Sequence, residues 1–173
     1  MEGLEVKAEL HSLMIAPSEV DASAMLPLWA YLHPEPVQLL GFSPFGDWFF
    51  TTSDGQVARI DLLEGRLDQV ASGTNEFARL LGTDDGADEL LLAGLVEALH
   101  RDGMRREAGQ CYMYRVHPRL GGPIDRSNVL LGDMAVWQLI CAQLHPQIDA
   151  APASAVFAGL SVDEAGVLEI RWV

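Results

Sequence analysis

The stretch 47–70 constrains the fold more than any other part of the chain. Residues 47–52, Asp-Trp-Phe-Phe-Thr-Thr, are aromatic and β-branched and suit a strand. Ser53-Asp54-Gly55-Gln56 supplies a turn in which Gly55 can take the positive φ of a tight hairpin. Residues 57–62 alternate, with Ala58, Ile60 and Leu62 on one face and Val57, Arg59 and Asp61 on the other. Glu64-Gly65 is a second turn, and 67–70 a third short strand. Strands joined by turns this short pair in antiparallel fashion, so the stretch predicts a β-meander with one face open to water.

The flanking sequence predicts helices. Residues 17–31 place Val20, Ala24, Leu28 and Tyr31 at near-helical spacing, with Ser18 as cap and His33-Pro34 as terminator. A short helix follows Thr74, and 82–87 reads as an acidic loop. Residues 89–101 carry the stripe Leu91, Leu92, Leu95, Val96 and Leu99, capped by Asp85 or Asp88 and closed by Gly103. Residues 111–116 and 129–131 read as strands, separated by a glycine-rich loop at 118–123. Asp133 caps a helix running to about His145, which Pro146 ends. After an Ala/Pro/Ser-rich connector at 149–155, residues 156–160 and 167–172 predict a hairpin turned by 163–166. The alternation ending at Trp172 suits pairing within the sheet or across a homodimer. The predicted class is α+β: an antiparallel β-meander sheet with helices packed on one side, plus a C-terminal β-hairpin extension. Residues 1–148 form the expected domain, with 149–173 as an extension of it.

With 11 Lys and Arg against 25 Asp and Glu, the net charge of the 173-residue chain is −14. Such a surface repels nucleic acid and anionic lipid and draws basic partners. The two cysteines, Cys111 and Cys141, match no disulfide framework, which fits a reducing compartment. The start has neither the basic region nor the apolar run of a signal peptide, and no apolar run spans a bilayer, so a cytoplasmic location is expected.

The chemistry-bearing residues form no catalytic constellation. Cys111 and His117 lie six positions apart on an extended segment, about 20 Å, too far to act as a pair. The histidines His11, His33, His100, His117 and His145 contain no i, i+4 pair for zinc, so neither metal nor cofactor is expected. Gly121-Gly122-Pro123 lacks the Lys-Ser/Thr of a phosphate loop. Asp54 belongs to a turn, and Asp88 and Asp133 to helix caps. Asp47 alone is set among large aromatics, as a strand-entrance acceptor or a perturbed acid.

Four stretches, "LLGFSPFGDWFF" (39–50), "ADELLLAGLVEALHRDG" (87–103), "GQCYMYRVHPRLGG" (109–122) and "VLLGDMAVWQLICAQLHPQI" (129–148), carry a resemblance. In order and spacing they resemble the C-terminal domain of type VI secretion immunity proteins that neutralise nuclease toxins. Phe45-Gly46-Asp47, Gly109-Gln110-Cys111-Tyr112, Gly121-Gly122 and the terminal Gln143-Leu144-His145 are the steps that carry it. The resemblance implies a non-enzymatic cytoplasmic inhibitor that binds a cognate effector. A nuclease holds a polyanion and presents a basic surface, so an acidic protein can compete for it. The residues expected to make that contact are Asp54, Asp61, Glu64, Asp84, Asp85, Asp88 and Glu89. An adaptor of related fold is the alternative.

Overall fold

A computed structural model describes residues 13–173. Its central element is an antiparallel sheet, β1 (Gln38–Phe42), β2 (Trp48–Thr51), β3 (Val57–Asp61) and β4 (Arg66–Ala71), in the order β1-β2-β3-β4. Five α-helices are described: α1 (Ala22–Met25), α2 (Thr74–Leu81), α3 (Asp84–Leu91), α4 (Ala93–Arg101) and α5 (Met134–Ala150). A two-strand ribbon of β5 (Gln110–Tyr114) and β6 (Val129–Asp133) joins the sheet through the Tyr112 amide, which donates to the Pro44 carbonyl at 2.9 Å. The C-terminal hairpin is β7 (Phe157–Val162) with β8 (Leu168–Trp172), so the strand ending at Trp172 pairs within the chain. The class is α+β, with the expected meander and terminal strand pair.

Strand β1 escaped the sequence pattern because its Gly41 interrupts the apolar run. Gly41 sits at φ +150 where the β1–β2 register shifts, and a Cβ there would lie 2.9 Å from the Ile15 carbonyl oxygen. Ile15 and Phe42 exchange both backbone hydrogen bonds at 2.9 Å, which seats the incoming segment against β1.

The alternation of β2 and β3 was read correctly, but its second face is not open to water. Trp48, Phe50, Ala58 and Ile60 enter the main core with Trp29, Tyr112, Met134 and Trp137. On the opposite face Phe49, Val57 and Ala71 are buried with Phe77, Leu81, Leu90 and Leu91. Helices α2 and α3 therefore cover that face. Arg59 and Asp61, expected in water, lie beneath this cover and pair with each other at 3.3 Å. Each fully buried large side chain contributes about 1.5–3 kcal/mol, so covering both faces fixes the sheet firmly.

Several helix boundaries moved. Residues 17–32 are a 3-10 turn (Pro17–Glu19), α1 and a 3-10 segment (Leu26–Leu32), not one helix. Pro27 brings no N–H to the ladder, and Asp21, not Ser18, caps α1 by accepting from the Ala24 amide at 3.3 Å. The acidic stretch predicted as a loop at 82–87 is mostly helix, because Thr83 caps α3 through the Gly86 amide at 3.1 Å. Thr74 is the first residue of α2, which has Gly73 at its cap position. Helix α5, capped by Asp133 through the Val136 amide at 3.0 Å, runs through Pro146 to Ala150. The hairpin supports that extension: Gln143 accepts from the Leu168 amide and Gln147 from the Ile170 amide, each at 2.9 Å, so two helix side chains occupy the edge of β8.

Candidate functional site

The step Ser43-Pro44-Phe45-Gly46-Asp47 closes the turn between β1 and β2. The Ser43 amide donates to the Asp47 carbonyl at 2.9 Å and the Gly46 amide to the Ser43 carbonyl at 3.0 Å. Gly46 holds φ +97, where a Cβ would meet Leu62 at 3.0 Å and Gln138 at 3.2 Å. The Ser43 hydroxyl accepts from the Phe45 and Asp47 amides and donates to Asp47 Oδ2 at 2.6 Å. The loop thus aims Asp47 at the next turn, where Oδ1 accepts from the Leu62 amide at 2.7 Å. Asp47 therefore accepts hydrogen bonds at the strand entrance, one of the two roles that its setting among aromatics suggested.

Leu62 is the hub of the β3–β4 turn. His145 Nε2 donates to its carbonyl at 2.8 Å and His117 Nε2 at 3.2 Å. A carbonyl only accepts, so both rings carry the proton on Nε2 and offer Nδ1 as acceptor. Arg119 completes the pattern, its amide donating to His117 Nδ1 at 3.2 Å and its guanidinium to His145 Nδ1 at 3.0 Å. Burial pushes His117 down to about 4, aided by His145, and burial lowers His145 as well. Asp61 Oδ1 accepts from the Leu63 and Glu64 amides at 2.9 and 3.0 Å. Gly65, at φ +67, packs against the His145 ring too closely for any Cβ.

This turn forms one wall of a cleft of about 280 Å³ lined by Phe45, Asp47, Asp61, Glu64, Tyr114 and Trp137, among others. Helix α3 adds Glu89 and Leu90, and the sheet adds Arg59 and Arg66. Arg59 grips Asp68 with two hydrogen bonds, at 3.2 and 2.9 Å. Burial opposes the Arg59 charge, but the Asp68 hydrogen bonds and neighbouring carboxylates more than offset it, so its proton is held more tightly than usual. Burial raises Asp47 to about 6, and the Asp61 charge pushes the same way against the Ser43 and Leu62 hydrogen bonds. The Tyr114 hydroxyl is raised by burial, then by Asp47 and Asp61. Among the described residues it is the buried side-chain polar atom without a hydrogen-bond partner.

The seven acidic residues singled out in the sequence separate into groups. Asp61, Glu64 and Glu89 come together in the cleft, although Asp61 is 6% exposed and committed to Arg59. Asp84 and Asp85 stand exposed in the first turn of α3, and Asp88 Oδ1 accepts from the Gly94 amide at 3.0 Å, serving the start of α4. Asp54 lies in the β2–β3 turn, at the opposite end of β3 from Glu64. Of the motif residues, Gly109 takes φ +79 and Gln110 accepts from the Glu107 amide at 2.9 Å. Cys111 is fully buried, its thiol pushed up by that burial, and Tyr112 donates to the Met104 carbonyl at 3.0 Å. Gly121 (φ +95) ends the 3-10 turn Pro118–Leu120, and Gly122 packs directly on the Val116 carbonyl.

Sequence reasoning missed Arg59, Tyr114, His117, His145 and Gln138 as members of this region. Gln138 is fully buried, accepts from the indoles of Trp29 and Trp48 at 2.7 and 2.9 Å, and donates to the Gly46 carbonyl at 2.7 Å. A glutamine inside the otherwise apolar run 134–142 was the available signal. Among the described residues no group of three His, Cys, Asp or Glu side chains could hold a metal, and no helix is long and apolar enough to cross a membrane.

No family model and no curated protein matches the chain. Among solved structures the chain is similar to Atu4351 from Agrobacterium tumefaciens, with 17% identity, 88% of this chain and 73% of that chain covered, and a TM-score of 0.49. A likeness at that level assigns no activity to this chain.

Proposed function

We propose that this chain is an immunity protein, a non-catalytic inhibitor that neutralises a nuclease effector of a type VI secretion system by stoichiometric binding in the cytoplasm. The observation that carries the reading is a run of exposed carboxylates without salt-bridge partners among the described residues: Glu64, Asp84, Asp85, Asp88 and Glu89. They extend from the cleft along α3, whose eight residues span about 12 Å. Unpaired surface carboxylates on a chain of net charge −14 steer basic partners and add little to stability. Each Asp47 oxygen accepts one hydrogen bond, from Ser43 and from the Leu62 amide, which ties the carboxylate into the turn that frames the cleft. The resemblance carried by 39–50, 87–103, 109–122 and 129–148 supports the same reading.

Co-expression with its candidate nuclease effector tests it. Growth rescue, lost when Asp84, Asp85 and Asp88 are together changed to Lys, is the expected result. A toxin whose lethality is unchanged by the native chain overturns the proposal.

A further inference from the structure

Within that inhibitor reading, we propose that the cleft between the β3–β4 turn and α3 receives a single cationic side chain, arginine or lysine, from the partner.

The cleft has the size for it. At about 280 Å³ it falls at the lower edge of pockets that take whole small molecules, roughly 300–1,000 Å³, and suits one long side chain.

The charge is arranged for a cation. Asp47, Asp61, Glu64 and Glu89 line the cleft against Arg59 and Arg66. Both of those arginines turn toward Asp68, which does not line it: Arg59 through two hydrogen bonds and Arg66 with Nε 3.7 Å from Oδ2. Arg59 is held there and by Asp61, while Arg66 is largely exposed, so the four carboxylates of the lining outnumber its two guanidiniums. Glu64 and Glu89 have no cation partner among the described residues.

Tyr114 is the independent sign of a missing ligand. It lines the cleft and is 6% exposed, and its hydroxyl is the one buried side-chain polar atom without a partner among the described residues. An unpaired buried hydroxyl destabilises the fold, and an entering N–H donor gives its oxygen the partner it lacks. Its ring stacks on Phe45 at 5.3 Å and crosses Trp137 at 6.4 Å, so packing on both sides fixes the ring and keeps the hydroxyl from turning away. Asp47 is under-compensated in the same way. Burial and Asp61 raise its proton affinity despite two hydrogen bonds, and each of its oxygens keeps a second lone pair for a donor.

The test titrates the isotope-labelled full chain with Nα-acetyl-arginine amide, and separately with its lysine and glutamine counterparts, followed by NMR. Saturable shifts at Leu62, Leu63 and Tyr114 with a Kd on the order of 1 mM, and none with the glutamine compound, are expected. Saturation by only one of the two cations assigns the residue type and upholds the proposal. The double variant Glu64→Gln, Glu89→Gln should weaken binding about fivefold, two exposed pairs being worth about 1 kcal/mol together. Glu169→Gln, on the distant hairpin, should not. Tyr114→Phe should weaken binding about threefold or more yet raise the thermal midpoint of the free chain, because it deletes an unpaired hydroxyl. A lowered midpoint, or shifts that spread over the acidic surface without saturating, overturns the proposal. Failure here is separable from failure of the inhibitor reading. If the double variant neutralises the toxin as fast as the native chain, the cleft is not the contact, while inhibition stands. If the toxin is not bound but arginine amide saturates the cleft, the cation site stands without the toxin.

Discussion

Asp47→Asn separates two opposing proton linkages that meet at Leu62. Asp47 holds the Leu62 amide, and His117 and His145 hold its carbonyl. Burial lowers His117 to about 4 from an unfolded value of 6.5. Between those values the unfolded chain binds a proton that the folded chain refuses. The stability from His117 is therefore complete above pH 6.5 and lost as pH falls toward 4, about 3 kcal/mol in all. His145, also lowered by burial, acts in the same direction. Asp47 acts the other way. Burial raises it to about 6 from 3.8, so between those values the folded chain holds the proton, and stability rises as pH falls through 6. That gain is about 1 kcal/mol by pH 5 and about 2 kcal/mol by pH 4. In the native chain it offsets much of the histidine loss; Asn at 47 removes the offset. Urea unfolding followed by the fluorescence of Trp29, Trp48 and Trp137, all buried, reads the difference. The gap between variant and native stability should widen by about 1 kcal/mol from pH 7 to pH 5. A gap constant with pH would refute the reasoning, because Asp47 would then titrate at its ordinary value.

Gln138→Leu leaves the indoles of Trp29 and Trp48 and the Gly46 carbonyl without their partner, and calorimetry should register a loss of about 3 kcal/mol; an unchanged midpoint would deny the glutamine its role. Gly65→Ala forces a Cβ into the His145 ring at a positive φ, and denaturant unfolding should show a loss of about 2 kcal/mol or more, against under 0.5 kcal/mol if the turn simply relaxes. Gln147→Ala removes the two bonds its own side chain makes to β8, from the Ile170 amide and to the Leu168 carbonyl, and leaves the Gln143 bond to the Leu168 amide. Amide exchange at Ile170 should speed up about tenfold while β2 and β3 amides stay protected; equal exchange at both would show that the hairpin holds without the helix.

The fold was legible where one local rule governed. Alternation gave β3, two glycine turns gave the meander, and Asp133 and Gly103 marked helix ends. It was illegible where tertiary contacts decided. The Gln143 and Gln147 bonds to β8 accompany the continuation of α5 past Pro146, and Gly41 hid β1. The site follows the same division. Asp47 was visible as a carboxylate among aromatics, and its partner Leu62 was not, because hydrogen bonds to backbone leave no trace in side-chain pattern. His117 and His145 are ordinary pre-proline histidines until the fold brings their rings to 5.1 Å around one carbonyl. The stripe of acids was plain from composition. Which of them lack cation partners among the described residues required Asp61 to be seen beside Arg59 and Glu64 without such a partner.

The most direct test of the central claim mixes the purified chain with its candidate nuclease effector and follows DNA cleavage against molar ratio. The account predicts that activity falls linearly to zero at one equivalent and that association slows about tenfold or more when salt is raised or Asp84, Asp85 and Asp88 are reversed to Lys. Full cleavage at a tenfold excess of this chain would contradict it.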